Sequence, residues 1–501
     1  MQQTIFSPEL TVGSDFAWVG RLGSPLELYT IIAINRPLKM NGSEQAFPSS
    51  PDSVTASRRL RNGRDKDVYY KPFPPNHFAP KTGHQTLNIG VIGAGVAGLT
   101  AAVALVQSGH NIFERSKFAN EIGAAIHMCP NATRILSFYE FDFQAGLATP
   151  LQRVSLLDAH SLEVLRRVDI PDTRELYGAP WYLFHRVDLH QQLNKLATEP
   201  RLHTKAVAKL NLATEVADID LDGTITLVRG DRVKKDLIIV ADGVRSSFTA
   251  KVVGDDVLSR ATPTGTAVYR FLIPTARLLE DPQTQPLFQN ESFCGSIARL
   301  KHSRLVWYPC RQGALQNFGL FVPDEIDGFE NEVWNIPASR EKFMESCRGL
   351  HPDLQAVCSK AEGLKLFRLC TRKMPIPTLT KGNVVLIGDA AHPMLPHQAQ
   401  GGAMAVEDGA ALGVLFSDLM SRDAVQDRLD MFQRLRLDRV SAIQILSSVG
   451  QDEIHKVIDS ARPYVEDPIP TTPDGLNEYN FTPNVMRDAL ELLHPGSKAR
   501  Q

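Results

Sequence analysis

A glycine-rich turn between two short apolar stretches constrains the fold of this chain more than any other feature. The apolar run 87–92 has the length of a buried parallel strand, and Gly93, Gly95 and Gly98 follow it as GxGxxG. Glycines at this spacing permit a tight turn, a close approach of backbone to a pyrophosphate and close helix–strand packing. Glu114 follows after about twenty residues, where an acid accepts hydrogen bonds from a ribose. This run therefore predicts a dinucleotide-binding βαβ unit.

Two later segments also place an acid directly after a buried strand. The apolar run 237–240 leads to Asp242 in a DG motif, and the run 384–387 leads to Asp389 in a GD motif. In doubly wound sheets, ligands bind at the carboxyl ends of parallel strands. A loop rich in Pro and Gly then opens a helix near Gly402, whose N-terminus favours electron-rich groups. We expect all three motifs to meet at one ligand site.

Composition excludes several classes of function. The net charge of −2 gives no electrostatic basis for a nucleic-acid partner. The six cysteines lack the spacing of metal ligands, which favours free thiols and no metal site. No apolar run approaches the roughly 18 residues of a membrane span, and the N-terminus lacks the pattern of a signal peptide. We therefore expect a soluble, cytoplasmic protein, and the sequence leaves its oligomeric state open.

The three motifs in this order are typical of a known family. From about residue 87 to 457, the chain resembles the group A (single-component) FAD-dependent aromatic hydroxylases of the salicylate hydroxylase type. The segment GDAAHPMLPHQAQGGAMAVEDGAAL is similar to the enzymes of this family in fungal secondary metabolism. The resemblance implies an α/β fold: a doubly wound FAD-binding domain like that of para-hydroxybenzoate hydroxylase, an inserted substrate-covering β-sheet domain and a helical C-terminal part.

We predict the following division of the chain. Residues 1–86 are rich in Pro, Ser and charged residues without a sustained period, which indicates a disordered extension. Residues 87–260 and 372–458 form a discontinuous FAD-binding domain, and residues 261–371 form the substrate-binding sheet. Residues 459–501 form a C-terminal tail.

The resemblance also implies how FAD is bound, without a covalent link. Glu114 contacts the adenosine ribose, Arg186 lies near the flavin and pyrophosphate, and Asp389 holds the ribityl chain. Asp242 serves both FAD and a transient NAD(P)H. The complete implied set of cofactor residues is Gly93, Gly95, Gly98, Glu114, Gly123, Ala124, Ala125, Arg186, Asp242, Asp389 and Gly402.

In such enzymes reduced flavin combines with O2 to form a C4a-hydroperoxide that hydroxylates an electron-rich ring. The resemblance therefore implies a phenolic or polyketide-derived substrate in secondary-metabolite biosynthesis, with O2 and NAD(P)H as co-substrates. It also implies that Arg270 anchors a carboxylate or phenolate, while Tyr308 hydrogen-bonds a ring oxygen. From the residues alone, an arginine within a strand is more often solvated or ion-paired, and a tyrosine there usually belongs to the core.

Two alternatives to hydroxylation stay open. The same scaffold supports an alkene epoxidase, which needs no cation or base beside the substrate. A degenerate, non-catalytic flavoprotein is the second alternative. It is motivated by Val240, where relatives commonly have glycine, and by the short stretch between Gly109 and Glu114.

Several polar residues near the GD motif have two interpretations. His392 is either an acid–base group or a hydrogen-bonding residue of the turn, and His397 is either a substrate contact or a polar loop residue. The pairs Glu407–Asp408 and Arg434–Arg436 have helical spacing and are interpreted as exposed faces or ion pairs.

Overall fold

The computed structural model describes residues 69–74, 77–78, 82–106, 110–113, 124–201, 206–291, 293–325, 336–465 and 469–495. Glu114, Gly123 and most of the predicted extension lie outside the described residues.

The strands, numbered in chain order, are β1 (Ile89–Ile92), β2 (His110–Phe113), β3 (Ala125–Met128), β4 (Thr149–Pro150), β5 (Arg153–Asp158), β6 (Val164–Asp169), β7 (Tyr182–His185), β8 (Lys209–Asn211), β9 (Val216–Asp220), β10 (Thr224–Leu227), β11 (Arg232–Lys234), β12 (Leu237–Val240), β13 (Thr262–Pro274), β14 (Cys294–Arg299), β15 (Arg304–Cys310), β16 (Leu315–Pro323), β17 (Ile336–Pro337), β18 (Glu362–Thr371), β19 (Thr380–Lys381) and β20 (Val384–Leu386). The helices are α1 (Val96–Ala104), α2 (Pro130–Phe138), α3 (Thr173–Tyr177), α4 (Arg186–Thr198), α5 (Thr249–Val253), α6 (Asp256–Ser259), α7 (Thr275–Leu279), α8 (Arg340–Ser346), α9 (Pro352–Ser359), α10 (Gly401–Leu415), α11 (Val425–Leu446), α12 (Ile458–Ala461), α13 (Pro473–Phe481) and α14 (Val485–Leu493).

The first large sheet has the strand order β19-β20-β12-β1-β2-β8. All its neighbouring strands run parallel except β19, which is antiparallel to β20. The side chains of β1, β12 and β20 are completely or almost completely buried, as expected for parallel strands covered on both faces. Helices α1 and α10 pack closely, since a Cβ at Gly409 would lie 2.7 Å from the backbone nitrogen of Ala101.

The second large sheet has the order β17-β18-β13-β16-β15-β14-β5-β6. Its strands pair antiparallel, except that β14 and β5 are parallel. One face carries Phe271 and Phe318, which pack with Phe343 of α8 and Val357 of α9 in a separate hydrophobic core. The opposite face is therefore available to a different part of the molecule. Two three-stranded sheets, β11-β10-β9 and β3-β7-β4, complete the strand architecture of the described chain.

The C-terminal part is helical. Helix α11 buries Leu429, Phe432 and Ile443 in the hydrophobic core that surrounds the first sheet. Upstream, the carbonyl oxygen of Tyr69 accepts hydrogen bonds from Asn484 at 3.0 Å and Arg487 at 2.7 Å, so residue 69 is fixed to the start of α14.

The predicted fold class is confirmed: an α/β protein with a doubly wound sheet, a second sheet and a helical C-terminal region. The exact domain boundaries stay predictions, and β5 and β6 join the second sheet from within 87–260.

Within the described ranges, no helix combines the length and apolar character that a membrane span requires. The same portion of the chain contains no cluster of three or more His, Cys, Asp or Glu side chains suited to a metal ion. The six cysteines carry free thiols.

Candidate active site

The GxGxxG turn has the geometry that its glycines predict. Gly93 has a φ of +98°, and a Cβ there would lie 2.5 Å from the carbonyl oxygen of Ala241. A Cβ at Gly98 would lie 1.9 Å from the carbonyl oxygen of Gly93. At Gly95, which precedes α1, no atom lies within 4 Å of the position of a Cβ. Two glycines thus permit close backbone packing, and the third leaves open space at the helix N-terminus, where an anion is favoured.

The three sequence motifs meet at one edge of the first sheet. Strands β1, β12 and β20 are parallel neighbours, so their carboxyl ends lie side by side. A Cβ at Gly93 would lie 2.9 Å from the Cα of Asp242, which places the DG motif directly against the GxGxxG turn. Asp389 follows β20, and its side chain is exposed.

Arg372 connects the two acidic motifs, although no sequence pattern identified it. This buried residue follows β18, and its guanidinium donates to the carbonyl oxygens of Ala391 at 2.8 Å and Ala390 at 2.9 Å. Burial lowers the pKa of Arg372 to about 10, while the charges of Asp389 and Asp242 oppose that change. Arg372 therefore fixes the GD turn and places a positive charge near both acids.

Arg186 is the second positive charge near the GD motif. It begins α4 directly after β7, and its backbone nitrogen donates to the carbonyl oxygen of Ala124 at 2.8 Å. Desolvation by the surrounding protein raises the pKa of Asp389, and His392, Arg186 and Arg372 oppose that rise. The carboxylate of Asp389 thus interacts electrostatically with Arg186; both side chains keep solvent-accessible surface, although the surrounding protein partly desolvates Asp389.

The strand β3 is fixed to the second sheet through Ala125. The backbone nitrogen of Ala125 donates to Oδ1 of Asn317 at 2.9 Å, and its carbonyl oxygen accepts from the hydroxyl of Tyr308 at 3.0 Å. Sequence reasoning missed Asn317, because nothing in its local sequence distinguishes it from other polar residues of strands. These two bonds determine which face of the second sheet is turned toward β3.

Arg270 lies on the same face of the second sheet as Tyr308. Across the sheet, Arg270 is paired with Gly319, and Gly319 is paired with Val306, so these three residues lie on one face. Side chains alternate between the two faces along a strand, so Tyr308, two residues after Val306, lies on that face too. Trp307, between Val306 and Tyr308, is buried in the core on the opposite face. Arg270 and Tyr308 therefore lie on the same face, opposite the core that contains Trp307.

Electrostatic interactions connect this face with the first sheet. Burial lowers the pKa of Arg270, Tyr308 opposes that change, and Arg186 reinforces it. Burial also raises the pKa of Tyr308, so its hydroxyl stays protonated at neutral pH. The guanidinium carbon of Arg270 lies 5.5 Å from the centre of the Phe367 ring. Arg270 is thus a desolvated cation between Tyr308 and Arg186, which suits it to attract an anionic oxygen.

The N-terminus of α10 lies against β3. The helix begins at Gly401, and a Cβ at Gly402 would lie 2.7 Å from Cε of Met128 and 3.1 Å from Cδ1 of Ile126. A side chain at position 402 would therefore require the ends of the Met128 and Ile126 side chains to move. The positive end of the helix dipole is thereby placed beside the strand that follows Ala124.

Beneath this helix start lies a buried network of charges. Glu407 accepts from Arg436 at 2.6 Å and from Arg439 at 2.7 Å, and Asp408 accepts from Arg436 at 2.8 Å. Burial would raise the pKa of Glu407, but Arg439 and Arg436 hold it at about 2. The ion-pair interpretation is therefore correct for Glu407, Asp408 and Arg436. The exposed-face interpretation holds for Arg434 alone.

The two histidines of the GD loop have different partners. Nε2 of His392 lies 2.6 Å from Oδ2 of Asp408, which also accepts from the backbone nitrogen of Gly388 at 2.9 Å. His392 thus stabilises the turn. Nδ1 of His397 lies 2.6 Å from Nη2 of Arg304, and burial together with Arg304 lowers the pKa of His397 to about 3. His397 is therefore a neutral acceptor that connects the loop to the second sheet.

Comparison with known proteins agrees with this arrangement. A family profile described as FAD binding domain matches residues 188–446. The FAD-dependent monooxygenase phomE' of Diaporthe leptostromiformis is 36% identical over 385 residues, which cover 76% of this chain and 96% of the relative. The chain belongs to the FAD-dependent monooxygenases. Hispidin-3-hydroxylase of Neonothopanus nambi is 30% identical to this monooxygenase over 72% of the chain and 87% of the relative.

The fold of the monooxygenase is shared with a solved salicylate hydroxylase substrate complex. The TM-score is 0.60 at 24% identity, and the match covers 81% of this chain and 92% of that one. The predicted family, the enzyme class and the FAD cofactor are thus confirmed.

The cleft of this monooxygenase fits FAD on its own geometry. No atom lies within 4 Å of the Cβ position at Gly95, so the N-terminus of α1 is open there, and the side chains of Arg186 and Asp389 offer a cation and a carboxylate. Ala124 and Ala125 border the same cleft through their bonds to Arg186, Asn317 and Tyr308. The contact of each predicted residue with FAD stays a prediction.

Proposed function

We propose that this monooxygenase uses NAD(P)H and O2 to hydroxylate a phenolic or polyketide-derived small molecule in secondary-metabolite biosynthesis. One oxygen atom of O2 is inserted into a C–H bond of the ring, which gives a ring hydroxyl group. The other oxygen atom is reduced to water, and NAD(P)H supplies the two electrons for this reduction. The observation that carries the proposal is the position of Arg270 and Tyr308 on the face of the second sheet that is bonded to Ala125. The name of the relative that hydroxylates hispidin supports the same reaction class.

The proposed FAD site follows the motifs. The turn formed by Gly93, Gly95 and Gly98 receives the pyrophosphate at the open side of Gly95, and Glu114 binds the adenosine ribose. The flavin and its ribityl chain are held by Gly123, Ala124, Ala125, Arg186, Asp389 and Gly402. Asp242 contacts FAD and the transient NAD(P)H. Bound FAD would accept the electron pair and activate O2.

The chain itself would orient the substrate. Arg270 would attract the phenolate oxygen and lower the pKa of the phenol, which makes the ring more nucleophilic. The hydroxyl of Tyr308 already donates to Ala125, so its lone pairs are available to accept from a substrate hydroxyl. Residues on the apolar part of the same face, such as Val306 and Phe367, would exclude water from the ring.

Two observations disfavour the alternatives to hydroxylation. An epoxidase needs no cation beside its substrate, whereas Arg270 lies on the cleft face beside Tyr308. The degenerate flavoprotein was suggested partly by Val240, but this side chain is completely buried in the core of the first sheet and does not enter the cleft.

We also propose that the division into a discontinuous FAD-binding part (87–260 and 372–458) and a substrate sheet (261–371) is functional, with catalysis in the cytoplasm. Six free thiols support a reducing compartment.

The proposed function is tested by incubating the purified holoenzyme with a panel of phenols, NADH or NADPH, and ¹⁸O-labelled O2. We expect a product that carries one labelled oxygen atom on its ring, with matching consumption of O2 and NAD(P)H. Oxidised product formed without consumption of O2 would indicate a dehydrogenase, and labelled oxygen on an alkene carbon would indicate an epoxidase.

A further inference from the structure

Two ring nitrogens beside the cleft have no hydrogen-bond partner. Nδ1 of His127 and Nε1 of Trp181 are both buried, and nothing in the described chain donates to them or accepts from them. The centres of the two rings are only 5.8 Å apart. Buried polar groups in proteins are normally satisfied by protein, water or ligand, so a neighbouring pair without partners requires an explanation.

Their position connects them with the proposed substrate face. His127 lies on β3 two residues after Ala125, and its ring centre is 4.4 Å from that of Tyr308. Trp181 directly precedes β7, and Leu183 of β7 is the residue paired with His127 of β3. The ring of Phe481 lies 5.1 Å from that of Trp181. His127 therefore lies beside both Trp181 and Tyr308, and Tyr308 interacts electrostatically with Arg270.

The chemistry of the two rings defines what they can bind. Burial lowers the pKa of His127 to about 4, so its imidazole is neutral at neutral pH and offers one donor and one acceptor. The indole of Trp181 offers a donor only. A neutral oxygen acceptor, such as a carbonyl, satisfies Trp181 directly, and a carbonyl or hydroxyl oxygen satisfies His127 in one of its tautomers.

We propose that His127 and Trp181 form a second polar anchor of the substrate site, which binds a carbonyl or hydroxyl oxygen of the aromatic substrate. This oxygen is distinct from the phenolate that Arg270 attracts. The inference rests on the proposed function, because it assumes an aromatic substrate in this cleft. It narrows the substrate class to phenols that carry at least one further oxygen function, as acylated phenols do.

The anchor is tested by binding of matched probes to the holoenzyme, followed through the absorbance of the flavin. Each pair consists of an acyl phenol and its alkyl analogue, for example 2,4-dihydroxyacetophenone with 4-ethylresorcinol, and 2-acetyl-1-naphthol with 2-ethyl-1-naphthol. For at least one pair we expect the wild type to bind the acyl member about 10- to 100-fold more tightly, since the alkyl member leaves both nitrogens unpaired. His127→Phe and Trp181→Phe should each reduce this preference about tenfold and leave binding of the alkyl member unchanged.

Control variants separate binding from packing. Trp307→Phe changes a tryptophan in the core on the opposite face, so it should lower stability without changing the preference. His127→Gln keeps a hydrogen-bonding group and should restore part of the preference. Without any probe, His127→Phe should raise the thermal midpoint by about 1–3 °C, because it removes a buried nitrogen without a partner and keeps an aromatic ring.

The proposal is overturned if the wild type shows no preference in any pair, or if both variants keep it. A preference lost together with bound FAD would indicate packing and would also overturn it. Binding is measured without NAD(P)H, so it tests the anchor independently of hydroxylation. Bound probes that are never hydroxylated contradict the proposed function alone, and hydroxylation without the preference contradicts the anchor alone.

Discussion

The two large sheets border the same cleft, but they contribute to it through different parts of the chain. The first sheet contributes the ends of parallel strands, where glycines and acids lie in turns. The second sheet contributes side chains from the middle of long strands, and Arg270 and Tyr308 are separated by the intervening strand β16. A site built from turns is encoded in consecutive residues, whereas a site built on a sheet face depends on the register between distant strands.

The strongest test of this comparison is a side chain added within the GxGxxG turn. Gly98→Val should abolish FAD binding or folding, because even a Cβ would lie 1.9 Å from the backbone oxygen of Gly93. The measurement is the ratio of flavin to protein absorbance after purification, together with the thermal midpoint. Gly95→Ala is the matched control, since the space there is open and the fold should persist with weaker FAD binding. Normal FAD content in Gly98→Val would refute the backbone explanation.

On the second sheet, changes to the cleft face should affect turnover and not the cofactor. Arg270→Ala should lower kcat/KM for a phenol by about 10²- to 10³-fold, because it removes the only attraction for the phenolate that we assign to this face. Tyr308→Phe should also strongly reduce formation of product, and FAD should stay bound in both variants. Arg166→Ala, which alters an exposed arginine on the edge strand β6, serves as the control. Unchanged turnover in both cleft variants would remove Arg270 and Tyr308 from the site.

The charge network under α10 predicts how the stability of the first region depends on pH. Arg439 and Arg436 hold the pKa of Glu407 at about 2, below its ordinary value in the unfolded chain. This depressed pKa contributes stability that is fully present above about pH 5 and is lost as the pH falls toward about 2. Glu407→Gln should therefore lower the free energy of unfolding at neutral pH by about 3 kcal/mol, since it leaves buried charge unpaired. Urea titrations should show the difference from wild type shrinking in acid, and a difference independent of pH would contradict this account.

The smallest effect is expected where the two regions are joined. Asn317→Ala removes the acceptor of the Ala125 backbone nitrogen and should lower the free energy of unfolding by about 1–3 kcal/mol. FAD content should stay near that of wild type, because the bond to Tyr308 still holds the carbonyl of Ala125. Chemical denaturation followed by flavin fluorescence measures both quantities. A complete loss of FAD would show that the second sheet positions the cofactor more strongly than the comparison suggests.

Sequence reasoning identified the motifs of the first region because each follows from local rules. A buried strand, a glycine turn and an acid at the strand end are consecutive, and parallel pairing brings such ends together. The same reasoning missed Arg372 and Asn317, whose functions depend on carbonyl groups and backbone atoms that lie far away in the sequence. For Glu407 and Asp408 it left two interpretations open, because helical spacing does not reveal whether a charged face is covered by another helix.

The amino-acid sequence by itself determined the nucleotide-binding turn, the acids beside it, the α/β class and the family, because these depend on residue type and short spacing. Only the tertiary structure decided that Arg270 and Tyr308 share a face and that Tyr308 and Asn317 hold Ala125. It also decided that the rings of His127 and Trp181 lie together and that Nδ1 of His127 and Nε1 of Trp181 have no hydrogen-bond partner. The physical reason is strand register: a shift of one residue moves a side chain to the opposite face, and register is set by packing across the whole sheet.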